Sequence, residues 1–269
     1  MMNLYPGVLP SGIARTSYSL LLGALIGGRA SFAFGEDKPA ATPYRPSVSS
    51  PAALSAPGWL EVEMGLERTR IGPGERSDAL PYSLKLAFSP DWGIRIEGDA
   101  SVRLREGDSA ASGGGDTSVI LKRRFALHDR SAFGLETGVS LPTAGKTLGS
   151  GGQGLLINGI FSSEVTDEWN LDLNLSATRY GASTPDLGRI QSGWAAAATR
   201  SVGERWQLGV EVSGTRRRGE GSARQLLVAA TYESSKALVW DFGVSRGLTA
   251  ATPDWSAFAG LTWVAFKLF

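Results

Sequence analysis

The chain has 269 residues, of which 42% are hydrophobic and 20% are charged, and its formal net charge is +1. The nearly equal numbers of basic and acidic residues give no indication of a nucleic-acid partner. The absence of cysteine excludes disulfides and thiolate metal sites.

Residues 1–33 have the order of features of a secretory signal peptide. Arg15 precedes a short apolar run over Tyr18–Gly28, and the small residues Ser31 and Ala33 follow it. The run is too short and too rich in glycine to span a membrane comfortably, which favours a signal over a membrane anchor or a buried helix. We therefore predict export and cleavage after Ala33.

Residues 34–57 are predicted to form a flexible periplasmic linker. The stretch from Glu36 to Pro57 repeats Pro, Ala and Ser and contains few residues that could pack in a core. The sequence leaves open whether this linker enters the lumen of the domain that follows.

From Trp59 onward, apolar and polar residues alternate with a period of two in one segment after another. Between Trp169 and Thr178 they change places at every step. This alternation predicts strands with one apolar face, because successive side chains of a strand point to opposite sides of a sheet. Twelve such strands are predicted, at about 59–69, 81–89, 92–104, 117–126, 131–141, 154–165, 169–180, 191–202, 206–216, 224–233, 237–248 and 255–269.

The lengths of these strands and of their connections indicate a membrane barrel. Strands of about ten to thirteen residues suit a tilted crossing of a bilayer. Tight turns, such as Ser89–Asp91, alternate with longer loops, such as Pro142–Gln153. Outer-membrane barrels have short periplasmic turns and longer external loops. We therefore predict that residues 58–269 form an all-β, antiparallel up-and-down transmembrane β-barrel of about twelve strands in the bacterial outer membrane.

Tryptophans recur at the start of odd-numbered predicted strands, just after the linker or a tight turn. Because the indole ring is apolar and carries one polar N–H, tryptophan favours the membrane–water interface. A periplasmic aromatic girdle is therefore predicted from Trp59, Trp92, Trp169, Trp206 and Trp240. The last strand ends at Phe269, which resembles the C-terminal signal by which the barrel-assembly machinery recognises outer-membrane proteins.

Several motifs of the barrel region occur in an order that is seen in a known family. They are Gly115-Asp116-Thr117, Lys122-Arg-Arg-Phe125, Leu141-Pro-Thr-Ala-Gly-Lys146, Val239-Trp-Asp-Phe-Gly-Val244, Thr252-Pro-Asp-Trp255 and Ala259-Gly-Leu-Thr-Trp263. The region from Trp59 to Phe269 thereby resembles the meta-pathway phenol-degradation family of outer-membrane proteins, which are often labelled as transporters. The resemblance implies a twelve-stranded barrel and a role in moving small, often aromatic or hydrophobic, molecules. It implies no catalytic residues.

The sequence gives little support for enzymatic chemistry. Some barrels of this size are hydrolases that depend on histidine, and this chain has one, His128, in a tight turn beside Asp129 and Arg130. A solvated turn residue is a better interpretation of His128 than a general base. With one His and no Cys, no metal site is predicted either. We therefore expect a protein that is not an enzyme and uses no cofactor.

Charged residues on the polar faces of the strands are the candidate lining of the lumen. The simplest hairpin register brings Glu97 near Arg124 and Lys85 near Arg95. It also brings Lys122 near Asp99 and Glu136. Two interpretations stay open, because such pairs either line a path and set its selectivity or neutralise each other in a nearly filled barrel. The complete set of candidates is Lys85, Arg95, Glu97, Asp99, Lys122, Arg124, Glu136, Asp172, Glu211 and Asp241.

Two functions from different classes fit these features. The leading hypothesis is a channel for passive or facilitated diffusion, with a small-molecule solute as its partner. The alternative is a structural or adhesive barrel with a closed lumen and functional external loops. Outer-membrane lipid and lipopolysaccharide are the expected surroundings in either case. Arg216–Arg218 at the outer end of a strand either contact lipid phosphates or form a solvated loop, and the sequence favours neither.

Overall fold

The computed structural model describes residues 38–145, 147–182 and 186–269, and these residues form thirteen strands. The predicted signal peptide (1–33) lies outside the described residues. The strands are β1 (Trp59–Gly72), β2 (Glu75–Ala87), β3 (Trp92–Glu106), β4 (Ser109–Gly113), β5 (Thr117–His128), β6 (Ser131–Leu141), β7 (Gly154–Glu164), β8 (Trp169–Arg179), β9 (Ile190–Val202), β10 (Trp206–Arg217), β11 (Ala223–Ser235), β12 (Leu238–Gly247) and β13 (Trp255–Lys267).

Twelve of these strands close into an antiparallel barrel. Consecutive strands pair around the ring, and β1 pairs with β13 to complete it. The short strand β4 pairs with the outer part of β3 and stands above the barrel wall as a hairpin. The fold predicted from the sequence is therefore confirmed.

Alternation in the sequence corresponds to alternation between the two faces of the wall. On β8, Leu173 and Leu175 are exposed on the outside, whereas Asn174 between them is buried inside. On β10, the exposed Val210 and Val212 flank the buried Glu211. The outer surface is therefore apolar and the lumen polar, as in barrels that lie in lipid. Among the described residues, no helix is long and apolar enough to cross a membrane.

The barrel has two different ends. At the end called here the turn rim, strands are joined by short turns and the barrel begins and ends at Trp59 and Lys267. The opposite end, the loop rim, carries the longer connections 142–153, 180–189, 218–222 and 248–254. The predicted strand bounds leave connections at 70–80 and 105–116, and both are shorter in the structure. The strand β2 already begins at Glu75, and most of 105–116 belongs to β3 and β4. Tight turns with positive φ at Gly74 (75°) and Gly107 (55°) close these two hairpins.

Residues 38–57, called here the inner segment, run inside the barrel. Ala52 is fully buried and packs with Ala132 and Ile160 of the wall. Pro57 then forms a bridge to Ala87 and leads into β1. The sequence predicted a flexible periplasmic linker over 34–57, and the described part of it instead has defined contacts with the lumen. The reason is that a segment poor in apolar side chains still carries backbone N–H groups, which the wall binds.

Candidate functional site

The inner segment enters the lumen at the turn rim. Its Lys38 Nζ donates hydrogen bonds to the carbonyl oxygens of Val264 (3.0 Å) and Ala265 (2.9 Å). The N–H of Ala41 donates to the carbonyl of Lys236 (2.7 Å) in the turn between β11 and β12. These contacts place the start of the described segment beside the closing strands of the barrel.

Polar side chains of the wall accept hydrogen bonds from backbone N–H groups of the inner segment. The pairs are Thr42 N to Glu61 (2.8 Å), Tyr44 N to Glu63 (2.7 Å), Ser49 N to Glu211 (2.9 Å), Ser50 N to Asn174 (3.0 Å) and Ala52 N to Ser162 (2.7 Å). The acceptors stand on four different strands, β1, β7, β8 and β10, so the segment bends around the lumen rather than crossing it once. Buried N–H groups need partners, and here the wall supplies partners that a strand or helix would otherwise provide.

The ring of Tyr44 lies among three cationic side chains, and these four residues are called here the Tyr44 pocket. Lys85 Nζ and Lys122 Nζ each lie 4.1 Å from the ring centroid, and the guanidinium of Arg95 lies 5.2 Å from it. Lys122 Nζ also donates to the Tyr44 hydroxyl (3.0 Å), which in turn donates to the carbonyl of Ala53 (2.6 Å). Burial raises the pKa of the Tyr44 hydroxyl well above its usual range, so the phenol stays protonated near neutral pH.

Carboxylates of the wall balance the cations of the Tyr44 pocket. Lys85 forms ion pairs with Glu61 and with Glu63, the latter at 2.6 Å. The remaining pairs are Arg95 with Glu97 (3.0 Å), Arg95 with Glu136 (3.5 Å) and Lys122 with Glu136 (3.4 Å). Four carboxylates thus surround three cations, which leaves the Tyr44 pocket without any net positive charge.

On the opposite side of the lumen, acidic side chains depend on the inner segment for partners. Glu211 accepts hydrogen bonds from the Ser47 hydroxyl and from Ser49 N. Asp241 forms an ion pair with Arg45 of the segment (3.4 Å). A Cβ at Gly260 would lie 2.8 Å from Arg45 Nε, so the absence of a side chain there leaves room for the guanidinium.

A cavity of about 390 Å³ lies beside the inner segment and is also lined by residues of strands β6–β11. Its lining includes Arg130 and Ser131 at the turn rim and extends to Tyr44, Asp172 and Glu211 within the lumen. Pockets that hold small molecules typically have volumes of about 300–1,000 Å³. The cavity is therefore large enough for a compound with one aromatic ring.

The structure brings together only some of the charges that the sequence paired. Lys85 faces Arg95 and Lys122 faces Glu136, in the register that the sequence suggested. The other two proximities were wrong. Across β3 and β5, Glu97 faces Ser118 rather than Arg124, and Lys122 faces Gly93 rather than Asp99. The cause is β4, because residues 109–113 pair with the outer part of β3 and shift the β3–β5 register.

The remaining candidates are Asp172, Arg124 and Asp99. Asp172 lies beside Ser162, whose hydroxyl donates to its carboxylate. Arg124 lies near the turn rim, where its N–H donates to the carbonyl of Asp91 (2.8 Å). Asp99 lies toward the loop rim, close to Gly115. A Cβ at Gly115 would be 2.9 Å from the Cβ of Asp99.

Four of the five predicted girdle tryptophans point outward at the turn rim. They are Trp92, Trp169, Trp206 and Trp240. The guanidinium of Arg200 lies 5.6 Å from the ring of Trp169. Trp59 instead lies on the same face of β1 as Glu61, which is buried inside the barrel. Trp263, which the sequence interpretation did not include, is exposed on the outside and faces Val62 near the same rim.

His128 ends β5 at the turn rim and is exposed. Within the described ranges, no group of His, Asp and Glu side chains is arranged to hold a metal ion. The residues that the sequence interpretation missed are those of the inner segment, above all Tyr44 and Arg45. Glu61 and Glu63 had a usable signal, since both alternate with apolar residues on the first strand.

A closed antiparallel barrel with an apolar exterior and a polar lumen is the architecture of a bacterial outer-membrane protein. The family described as "Putative MetA-pathway of phenol degradation" matches residues 45–266, and the chain belongs to this family. The match includes residues 45–57 of the inner segment together with nearly the whole barrel.

Solved structures with the same fold are outer-membrane channels. An outer-membrane channel of Pseudomonas putida F1 has a TM-score of 0.65 at 12% identity, covering 80% of this chain and 98% of that one. The NanC porin gives a TM-score of 0.58 at 10% identity, covering 76% and 98%. The KdgM porin in complex with disordered oligogalacturonate gives 0.56 at 12% identity, covering 77% and 99%. The comparison with curated proteins gives no significant match.

Proposed function

We propose that this protein is an outer-membrane channel through which small molecules diffuse passively, and that the inner segment closes it in the conformation described. In this proposal the turn rim faces the periplasm and the loop rim faces the exterior, as short turns and long loops do in bacterial barrels. Export through a cleaved signal peptide at 1–33 is part of the same proposal.

The observation that carries the proposal is that the lumen is filled by a chain segment rather than by the side chains of the wall. The inner segment continues covalently into β1, and its other contacts with the barrel are noncovalent and mostly polar. Exchanging a hydrogen bond within the protein for one with water costs only about 1 kcal/mol on average. Such a segment is suited to leaving the lumen while the barrel stays folded.

Small aromatic compounds are the solute class that we favour. The description of the family names phenol degradation, and the cavity of about 390 Å³ beside the inner segment accommodates a single ring. A lumen with several charged side chains would give such solutes a polar route through the membrane, with entry controlled by width and charge.

A second candidate is a structural barrel with a permanently closed lumen. One observation favours it, namely that the charges of the lumen are paired and that the inner segment is bonded to many strands. The two candidates differ in the expected effect of removing the inner segment. Removal should open a conducting pore in a channel, whereas a structural barrel needs no pore.

Conductance in planar bilayers tests the proposal. We expect the full-length mature protein to give small or brief currents, and a variant lacking residues 39–56 to give larger and steadier ones. In the shortened variant, Lys122→Gln should move the reversal potential toward cation selectivity, because one positive charge leaves the lumen. Lys236→Gln is the matched control, since Lys236 lies exposed in a turn.

Folding of each variant is checked by heat-modifiable migration and by far-UV circular dichroism. A shortened variant that is folded yet silent in the bilayer would contradict the channel and favour the structural barrel. Currents that change equally with Lys122→Gln and Lys236→Gln would exclude the lumen charges as determinants of selectivity.

A further inference from the structure

The Tyr44 pocket has the composition of a binding site for an aromatic ring. Lys85, Lys122 and Arg95 all lie within 5.2 Å of the centroid of one phenol ring. Cations within about 6 Å of a ring centroid are attracted to its π face, and the attraction strengthens when water is excluded. Lys85 and Lys122 are nearly completely buried, so water is excluded here.

Hydroxyl recognition adds to ring recognition. Lys122 Nζ donates to the Tyr44 hydroxyl at 3.0 Å, so one lysine serves both the ring and its substituent. The three cations stand on β2, β3 and β5, which are hydrogen-bonded strands of the wall. Tyr44, in contrast, belongs to the inner segment. The wall therefore provides a preformed phenol site, and the protein's own segment provides the phenol.

We propose that the Tyr44 pocket binds a free neutral phenol, which takes the place of the Tyr44 ring and loosens the inner segment. This inference rests on the proposed channel function, because it makes the solute the signal that opens its own path. The cavity of about 390 Å³ reaches Tyr44, so a small compound within it lies next to the ring that it would replace.

Charge balance decides which aromatic compounds suit the pocket. Four carboxylates, Glu61, Glu63, Glu97 and Glu136, pair with its three cations. An aromatic carboxylate would add a fifth negative charge to a nearly dry site and would be repelled. A neutral phenol offers a π face and a hydroxyl without that charge.

The tether of Tyr44 sets the concentration at which a free phenol can compete. A group held by a short chain has an effective concentration on the order of millimolar at its site. We therefore expect free phenols to displace Tyr44 in the millimolar range, and to bind at lower concentration once Tyr44 is absent.

Binding of p-cresol, which is the tyrosine side chain as a free molecule, tests the proposal. In calorimetry on the full-length detergent-solubilised protein, Tyr44→Ala should bind p-cresol about 10-fold more tightly than the unaltered protein, because the tethered competitor is gone. Adding Lys122→Met to Tyr44→Ala should abolish this gain. Tyr232→Ala is the matched control, because Tyr232 packs against Trp206 on the outside of the barrel at a centroid distance of 4.8 Å.

Two further probes separate ring recognition from simple cavity filling. 4-Methylcyclohexanol has the same carbon skeleton and a hydroxyl but no π face, and 4-hydroxybenzoate adds a negative charge; neither should show the gain. Equal p-cresol affinity in Tyr44→Ala and the unaltered protein would overturn the proposal, as would an equal gain for 4-methylcyclohexanol. Tyr44→Leu, which keeps more of the apolar volume, repeats the test if Tyr44→Ala does not fold.

Failure of this proposal differs from failure of the channel function. If the variant lacking residues 39–56 is silent in the bilayer while p-cresol still binds Tyr44→Ala more tightly, the phenol site is supported and the channel function is contradicted. If that variant conducts while p-cresol shows no preference for Tyr44→Ala, the channel function is supported and the phenol site is contradicted.

Discussion

Two halves of the barrel wall hold the same inner segment by different means. The first wall, β1–β6, carries both signs of charge, and its cations Lys85, Arg95 and Lys122 pair with its own carboxylates. The second wall, β7–β13, presents Glu211 and Asp241, whose bonded partners belong to the inner segment. The cations of the first wall therefore have oppositely charged partners without the segment, whereas Glu211 and Asp241 of the second wall lose their bonded partners if the segment leaves.

This difference between the walls predicts that different residues determine the stability of the barrel and the closure of its lumen by the inner segment. Ion pairs that stay within the wall are part of the folded barrel, and breaking one leaves a buried charge uncompensated. In the proposed channel, contacts between the second wall and the inner segment hold the closing element in place, and we expect that breaking one weakens closure first. We expect substitutions on the first wall to lower the free energy of unfolding and those on the second wall to release the segment.

Lys85→Met should have the largest effect on stability. The side chains of Lys85 and Glu61 are only 3% and 1% exposed, and Lys85 also pairs with Glu63. Removing one partner of a buried pair typically costs about 3–5 kcal/mol, and here two carboxylates lose their cation. Denaturant unfolding in lipid vesicles measures this, with Lys236→Met as the exposed control. Equal stability of the two variants would show that the first wall does not depend on its internal pairs.

Glu211→Ala should release the inner segment with a smaller loss of barrel stability. The substitution removes the carboxylate that accepts from the Ser47 hydroxyl and from Ser49 N–H, and leaves Ser49 N–H only the Ser47 hydroxyl oxygen at 3.2 Å. Losing the acceptor of a buried donor costs about 1–3 kcal/mol. Because the chain has no cysteine, Ser49→Cys can report on the segment by maleimide labelling. Ser49 is 3% exposed, so labelling should be slow in the parent and faster after Glu211→Ala.

A cysteine at Ser112, on the exposed hairpin of β4, provides the control for this labelling. Its rate should be the same with and without Glu211→Ala. If Glu211→Ala unfolds the barrel as readily as Lys85→Met does, the distinction between the two walls is lost.

The Arg45–Asp241 pair should contribute less than Glu211. Its side chains are 17% and 2% exposed, so Arg45 keeps more access to water than Glu211 does. A double-mutant cycle with Arg45→Ala and Asp241→Asn should give a coupling of about 1 kcal/mol, which is roughly a fivefold change in the labelling of Ser49→Cys. Additive effects of the two substitutions would show that the observed proximity contributes nothing to closure.

The barrel could be predicted from the sequence because its two environments determine whether each strand residue is apolar or polar. Lipid on one side and water or polar groups on the other impose the alternation that predicted a strand at about 169–180, and β8 runs from Trp169 to Arg179 in the structure. The register between β3 and β5 could not be predicted in the same way. Strand alternation is unchanged by a shift of an even number of residues, so pairing Glu97 with Ser118 or with Arg124 satisfies it equally well.

The inner segment was predictable only as a region without strands. Its bonds to the wall come largely from backbone N–H groups, which every residue except proline possesses, so its side chains carry little trace of its path. The wall carries the complementary signal. Glu61 and Glu63 are acidic residues on a lumen face opposite Lys85, and Gly260 leaves space for Arg45, but neither feature identifies its partner from the sequence alone.

Charges at the turn rim should have the smallest effect. Arg200 pairs with Glu168 at 3.0 Å, but the two side chains are 51% and 59% exposed. Exposed pairs contribute roughly 0–1 kcal/mol because water and salt screen them. Arg200→Gln should therefore change neither unfolding in vesicles by more than about 0.5 kcal/mol nor the labelling of Ser49→Cys. A loss comparable to that of Lys85→Met would mean that the rim, and not the paired interior of the first wall, determines how firmly the barrel is held.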